Sequence, residues 1–161
     1  MPGFGELCAQ KDLVCSSSPS PPSLVGSYTG QGQVVLSSNA LWNVADSEAL
    51  TVQITQQSDG AVAGTIDLQS LSLTVTGAVV RGSGADFSLY ASGSAQVMGC
   101  GAETRVLISG TLDESTSPVT VMGAMALRFT GNFAAQGCTP AQISTYPETG
   151  ADFLHVETRL P

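Results

Sequence analysis

The amino-acid sequence predicts an all-β protein whose antiparallel strands form an up-and-down meander that closes into an eight-stranded β-barrel. Apolar and polar residues alternate in segment after segment, and turn-forming residues separate these segments at short intervals. Glycines recur inside the segments, at positions 64, 77, 110 and 123, where a small barrel bends its strands sharply. A two-sheet β-sandwich is the alternative, because it also buries one face of every strand.

The first two strand segments are LVGSYTGQGQVVL, residues 24–36, and ALTVQITQQ, residues 49–57. The second alternates regularly and places its leucine, valine and isoleucine on one face. Asp59 and Gly60 follow it and predict a two-residue hairpin, because both residue types readily adopt positive φ angles. The third segment, AVAGTIDLQ, then returns along the second.

The fourth segment, SLSLTVTGAVV, places Leu71, Leu73, Val75 and Val79 in the apolar pattern. Between Leu68 and Leu71 the alternation slips by one residue, which indicates a tight turn or a β-bulge. We interpret the slip as a turn, which gives eight strands in all. A bulge at this point would give seven.

Four more segments complete the pattern: ADFSLYASGSAQVM, ETRVLISGTLD, VTVMGAMALRFTG and ADFLHVETRL. The connections between the first three are short and turn-like, and Pro118 stands at a strand start, where its missing N–H does little harm. A looser stretch through Cys138 and Pro147 leads to the last segment, which closes the barrel.

The apolar face of these strands is predicted to lie inside the barrel. A membrane barrel turns its apolar side chains outward and has aromatic girdles at both interfaces. This chain is only 6% aromatic, and its aromatic residues do not collect at strand ends. We therefore expect Leu71, Leu73 and Val75 inside, with serine, threonine and glutamine on the outer face.

The chain of 161 residues is long enough for one domain with a substantial core. Residues 16–23, SSSPSPPS, are unsuited to a helix or a central strand. We expect residues 1–23 to form an N-terminal cysteine loop and a Pro/Ser-rich tether, and residues 24–161 to form the barrel domain.

The cysteines favour disulfide bonds over a metal site. Cys8, Cys15, Cys100 and Cys138 are an even set without a C-x-x-C pair, and His155 is the only histidine. We expect Cys8 to pair with Cys15 and Cys100 with Cys138, although four cysteines allow three connectivities. Disulfides imply an extracytoplasmic location, in the periplasm, at the outer membrane or on the cell surface.

Composition and motifs argue against several classes of function. The net charge of −8, with a single lysine, opposes binding to nucleic acid or anionic lipid. No G-x-S-x-G motif occurs, and His155 alone supplies a poor catalytic site, so we expect no enzyme. The pairs Asp46 with Glu48 and Asp113 with Glu114 are interpreted as solvated loop charge rather than calcium ligands, so no metal and no cofactor is expected.

Several segments resemble a loose group of exported bacterial proteins, many of them lipoproteins, with a lipocalin-like (calycin-like) β-barrel. They are LVGSYTG, LTVQITQQSDGAVAGTI, SGTL and GAMALRFTGNF, and they cover most of residues 24–131. The resemblance implies a small apolar ligand in the barrel and a lipid-bearing cysteine removed with the signal peptide, so that membrane contact is only through an N-terminal anchor. Tyr28 stands where lipocalins have tryptophan, and no lipobox cysteine is present. Arg128 is expected to pack against Tyr28, as a basic residue packs on the lipocalin tryptophan.

Two non-catalytic functions follow from these observations. The favoured one is an interaction or structural module that binds another envelope protein, and the alternative is a carrier of a small apolar ligand. The candidate ligand-binding residues are Leu41, Trp42 and Tyr28. Leu41 and Trp42 form the apolar tip of a predicted connection of about 12 residues between the first two strands, which is long for a hairpin. This tip either covers a ligand cavity as a lid or plugs the barrel end as part of the core.

Overall fold

A computed structural model describes residues 21–38, 42–58, 60–68, 71–97, 100–130 and 149–161. Its strands are β1 (Gly26–Ser37), β2 (Ser47–Ser58), β3 (Ala61–Leu68), β4 (Leu71–Ser83), β5 (Asp86–Val97), β6 (Cys100–Asp113), β7 (Thr120–Thr130) and β8 (Thr149–Arg159). Each strand pairs antiparallel with the next, and β8 pairs with β1, so the sheet is a closed barrel. The predicted fold class is confirmed. No helix long and apolar enough to cross a membrane occurs among the described residues.

The predicted apolar face lies inside the barrel. Leu71 is 4% exposed, and Leu73 and Val75 are each 1% exposed. Ser72 and Thr74, between them, are exposed on the outer wall. Because side chains alternate across a strand, this arrangement gives β4 a dry inner face and a polar outer face.

A bulge at Gly77 changes the phase of β4. Gly77 has a φ of +62°, and the β4–β5 register shifts between Thr76 and Val79. Val80 is consequently buried, whereas Val79 is 40% exposed. The expectation that Val79 shares the inner face of Leu71 is therefore wrong, because the bulge moves the following side chains to the opposite face.

The predicted turns on either side of β3 are confirmed. Gly60 has a φ of +86°, and Ser58 pairs with Ala61, as a two-residue hairpin requires. Leu68 pairs with Leu71, so the slip in alternation is a turn and the barrel has eight strands. The β1–β2 connection covers only residues 38–46, fewer than predicted, because β1 and β2 extend further into it.

Neighbouring strands pass very close to one another at several glycines, of which Gly93 and Gly123 are examples. A Cβ atom on Gly93 would lie 1.9 Å from the carbonyl oxygen of Thr74, and one on Gly123 would lie 1.9 Å from that of Ser109. Real Cβ atoms do not approach an oxygen so closely, so each position requires glycine. At Gly123 the requirement for glycine comes from this close approach, whereas the sharp bend expected there stays a prediction.

Different groups close the two ends of the barrel. At one end, here called the Trp42 end, the Trp42 ring stacks on Phe129 with centroids 6.1 Å apart and meets the edge of Phe153 at 5.4 Å. At the other, the Tyr28 end, Leu24 is 4% exposed and lies in a segment that precedes β1. Both plugs lie outside the strands.

Replacing Gly123 by alanine is expected to lower the free energy of unfolding by about 3 kcal/mol, because the added methyl group collides with backbone atoms that cannot rotate away. Urea denaturation measures this change. The matched control is Ala124→Ser, on the exposed side of the same strand, which should change stability by less than about 0.5 kcal/mol. Equal stability of the two variants would contradict the close approach at Gly123.

Candidate functional site

From Leu154 to Glu157, the last strand places polar side chains inside the barrel and apolar side chains outside it. His155 and Glu157 are each 3% exposed, whereas Leu154 and Val156 are 54% and 52% exposed. The register with β1, in which Glu157 pairs with Gly30, fixes this orientation. This part of β8 thus reverses the distribution of polarity found in β4 from Leu71 to Val75.

His155 and Glu157 form a buried pair. They are two residues apart on one strand, so both point inward. The His155 Nδ1 atom lies 2.8 and 2.9 Å from the two carboxylate oxygens of Glu157. A carboxylate only accepts hydrogen bonds, so Nδ1 is the donor. The second ring nitrogen, Nε2, is buried and has no hydrogen-bond partner among the described residues.

The pair borders a small cavity at the Tyr28 end of the barrel. Its volume, taken as the space open to the centre of a water molecule, is about 40 Å³. That volume is enough for two or three water molecules, since each needs about 10–15 Å³ by this measure. The lining is otherwise aliphatic and aromatic: Leu24, Tyr28, Leu50, Val52, Phe87, Leu89, Ile108, Val121 and Met125.

Hydrogen bonds hold the segment with Leu24 across the end of the cavity. The Tyr28 hydroxyl donates to the carbonyl of Leu24 at 3.0 Å, and the Leu24 N–H donates to Gln57 Oε1 at 2.7 Å. Gln57 Nε2 in turn donates to the carbonyl of Pro22 at 2.8 Å, and Arg159 donates to the carbonyl of Val25. Among the described residues that line the cavity, Leu24 alone lies outside the strands. It is therefore the part of the wall that can move without breaking the barrel.

The basic residue beside Tyr28 is Arg159, which lies on the last strand. The Arg159 guanidinium carbon lies 5.8 Å from the centroid of the Tyr28 ring. Burial raises the pKa of the Tyr28 hydroxyl above its usual value, Arg159 opposes that rise, and Glu114 adds to it. The hydroxyl is thus kept protonated and able to donate to Leu24.

The expectation that Arg128 packs against Tyr28 is wrong. Arg128 points outward from β7 near the Trp42 end, because Leu127 and Phe129 occupy the inward positions on either side of it. There its Nη2 atom lies 2.6 Å from Asp152. The predicted type of contact exists, with a different arginine.

The structure separates the predicted ligand-binding residues. Tyr28 lines the cavity, whereas the Trp42 side chain is part of the aromatic cluster at the opposite end. Leu41 lies outside the described residues, as do Cys8, Cys15 and Cys138. Cys100 begins β6, but its side chain is not described, so both disulfides stay predictions. No group of three potential metal ligands occurs within the described ranges.

Sequence reasoning missed the buried pair. The sequence alone suggests for His155 only a role as a metal ligand or as a catalytic residue near the chain end, and supports neither. The available signal was its spacing, since His155 and Glu157 follow Phe153 at intervals of two within a strand. Side chains two residues apart on a strand share a face, so His155 and Glu157 point the same way as the buried Phe153.

Comparison of the chain with protein-family models, curated proteins and solved structures gave no match.

Glu48 is a second acidic residue in a partly desolvated position, near the Trp42 end. It pairs with Gly32 of β1, and its Oε2 atom is buried with no hydrogen-bond partner in the described parts of the chain. Burial raises the pKa of the Glu48 carboxyl group, and the neighbouring Asp46 raises it further. The folded state therefore disfavours the charged form of Glu48.

Glu48→Gln is expected to stabilise the protein at pH 7, where Glu48 is ionised in both states and its charge is less favourable in the folded one. As the pH falls through the raised pKa, the folded state takes up the proton first and the penalty disappears. The difference in stability between the variant and wild type should vanish below about pH 4, which is close to the pKa of an unperturbed glutamate. Thermal unfolding at several pH values measures this, with Glu103→Gln on the outer wall as control. A destabilised variant at pH 7 would contradict the assignment.

Trp42 is expected to emit blue-shifted fluorescence in the free protein and to resist quenching by acrylamide, because it is 2% exposed. Trp42→Ala should cost about 3–5 kcal/mol of stability, since it leaves Phe129 and Phe153 without their packing partner. The control in the same loop is Val44→Ala, at a position that is 61% exposed. Red-shifted, easily quenched emission would show that the loop is a lid and not a plug.

Proposed function

We propose that the protein is a non-catalytic interaction module of the bacterial envelope, exported and tethered through its N-terminal segment, which binds another protein through the outer wall of its barrel. The observation that carries this proposal is an uncharged apolar surface on β7 and β8. We call it the apolar wall and define it as Met122, Ala124, Leu154 and Val156.

The members of the apolar wall are neighbours in the sheet. Met122 pairs with Val156, and Ala124 pairs with Leu154, so the four side chains form a compact group. Met122 is 56% exposed, and Leu154 and Val156 are exposed to a similar degree. Contiguous apolar surface of this kind on a protein marks a contact site.

On the strands that flank β7 and β8, the residues beside the apolar wall carry no charge, and the acidic residue nearest to it on β8, Asp152, is paired with Arg128. On β6, Ser109 pairs with Ala124 and Thr111 pairs with Met122. On β1, Gln31 pairs with Val156 and Gln33 pairs with Leu154. The chain as a whole has a net charge of −8. A partner can therefore approach the four side chains of the apolar wall without desolvating an unpaired carboxylate.

The interior supports this function over that of a carrier for a large ligand. The cavity measures about 40 Å³, and the described residues at both barrel ends include buried plugs. Drug-sized ligands need pockets of about 300–1,000 Å³. The outer surface is therefore the better candidate for binding a macromolecule.

A photo-crosslinking amino acid at Val156 tests the proposal, with the same group at the exposed Thr74 on the opposite side of the barrel as matched control. We expect the full chain to form a discrete adduct from position 156, and none from position 74, in an envelope extract of the producing organism.

Competition then tests whether the adduct depends on the apolar wall. Excess wild-type protein should abolish the adduct, whereas the Met122→Lys, Leu154→Lys double variant should compete at least tenfold less well, because it places charges in the contact. Equal competition by the two proteins, or equal adducts from both positions, would exclude the apolar wall as the binding surface.

A further inference from the structure

We propose that the cavity beside His155 is a binding site for a small neutral alcohol or phenol, whose hydroxyl group bonds to His155 Nε2 and whose apolar body replaces the side chain of Leu24. This site lies inside the barrel and is independent of the apolar wall on its outside.

The unpartnered nitrogen of His155 is the first observation behind this assignment. The ring is 3% exposed and lines the cavity, and its Nδ1 atom is already bonded to Glu157. Nε2 is buried without a partner in the described chain. A buried polar atom needs a hydrogen-bond partner, and a hydroxyl group bound in this cavity supplies one to Nε2.

The chemistry of the pair selects a hydroxyl group. Nε2 accepts a hydrogen bond when the imidazole is neutral and donates one when it is protonated, and a hydroxyl group can serve as partner in either state. The buried Glu157 carboxylate disfavours an anionic ligand through repulsion. A cationic ligand would have to lose its hydration in a cavity whose remaining lining is apolar. Neutral molecules with one oxygen fit best.

The apolar lining selects the body of the ligand. Phe87, Leu89, Ile108 and Met125 face the cavity from three different strands, and the Tyr28 ring lies beside them. These side chains offer dispersion contacts to a ring or a short branched chain and no further hydrogen bond, since the Tyr28 hydroxyl is used by Leu24. The site therefore matches an apolar molecule with a single polar group.

Room for such a molecule comes from Leu24. The cavity of about 40 Å³ holds water but not a six-membered ring. A cavity of about 150 Å³, of the size that loss of one buried leucine side chain can open, accommodates benzene. Leu24 is outside the strands and is held by hydrogen bonds to Gln57 and Tyr28, so its side chain can leave while every barrel ladder stays intact. Leu24 is then an internal competitor for the site.

Nuclear magnetic resonance of the full chain, titrated with phenol, benzene and benzoate, tests the proposal. His155 is the only histidine and Trp42 the only tryptophan, so each gives one assignable side-chain signal. We expect saturable binding of phenol that shifts the Nε2 resonance of His155 and leaves the indole signal of Trp42, at the opposite end, unchanged. Benzene and benzoate should bind at least tenfold more weakly.

Two variants separate recognition from simple cavity filling. Leu24→Ala removes the competitor and should bind phenol about tenfold more tightly than wild type. The control Leu68→Ala also deletes a leucine that is 4% exposed, but one that does not line this cavity, and it should show no such gain. His155→Phe should lose the preference for phenol over benzene.

Three results would overturn the proposal: no phenol binding by wild type or by Leu24→Ala at millimolar concentration, phenol binding without a shift at His155 Nε2, or a preference of Leu24→Ala for benzene. The first two measurements use wild type and Leu24→Ala, so they decide the question even if His155→Phe does not fold.

Discussion

The pairing of β8 with β1 and β7 is the constraint on which the rest of this structure depends. It joins the two ends of the sheet, removes the free strand edges and fixes which side chains of β8 point inward. A slip of one residue would turn Leu154 and Val156 into the barrel and expose His155 and Glu157. A single register thus creates both the buried polar pair and the apolar wall outside it.

Packing at the Trp42 end explains why this register is adopted although it buries His155 and Glu157. Phe153 is fully buried against Trp42, and in the alternative register it would face outward. The same register places Asp152 beside Arg128 on the outer wall, although an exposed ion pair adds less than about 1 kcal/mol. The cost is the burial of two ionisable side chains that satisfy only part of each other's hydrogen-bonding capacity. Departures of this kind from the local rules are most often found at functional sites.

Local alternation predicted the barrel, its eight strands and the inner face of β4 up to Val75, because a period of two is visible in any short window. It failed where the phase depends on the backbone or on distant strands. The bulge at Gly77 reversed the face of Val79, and the orientation of β8 depended on its partners. The arginine beside Tyr28 was misassigned for the same reason, since Arg159 reaches it only because β8 lies next to β1. Predicting the cavity from the sequence would have required the bulge, the orientation of β8 and the strand partners of β8 to be known together.

The two ends of the barrel differ in how they can open. Displacing Trp42 would uncover Phe129 and Phe153 as well, so three aromatic rings would lose their contacts at once. Displacing the Leu24 side chain exposes one aliphatic group and leaves the backbone hydrogen bonds of Leu24 to Gln57 and Tyr28 in place. Exchange between the interior and solvent therefore costs less at the Tyr28 end.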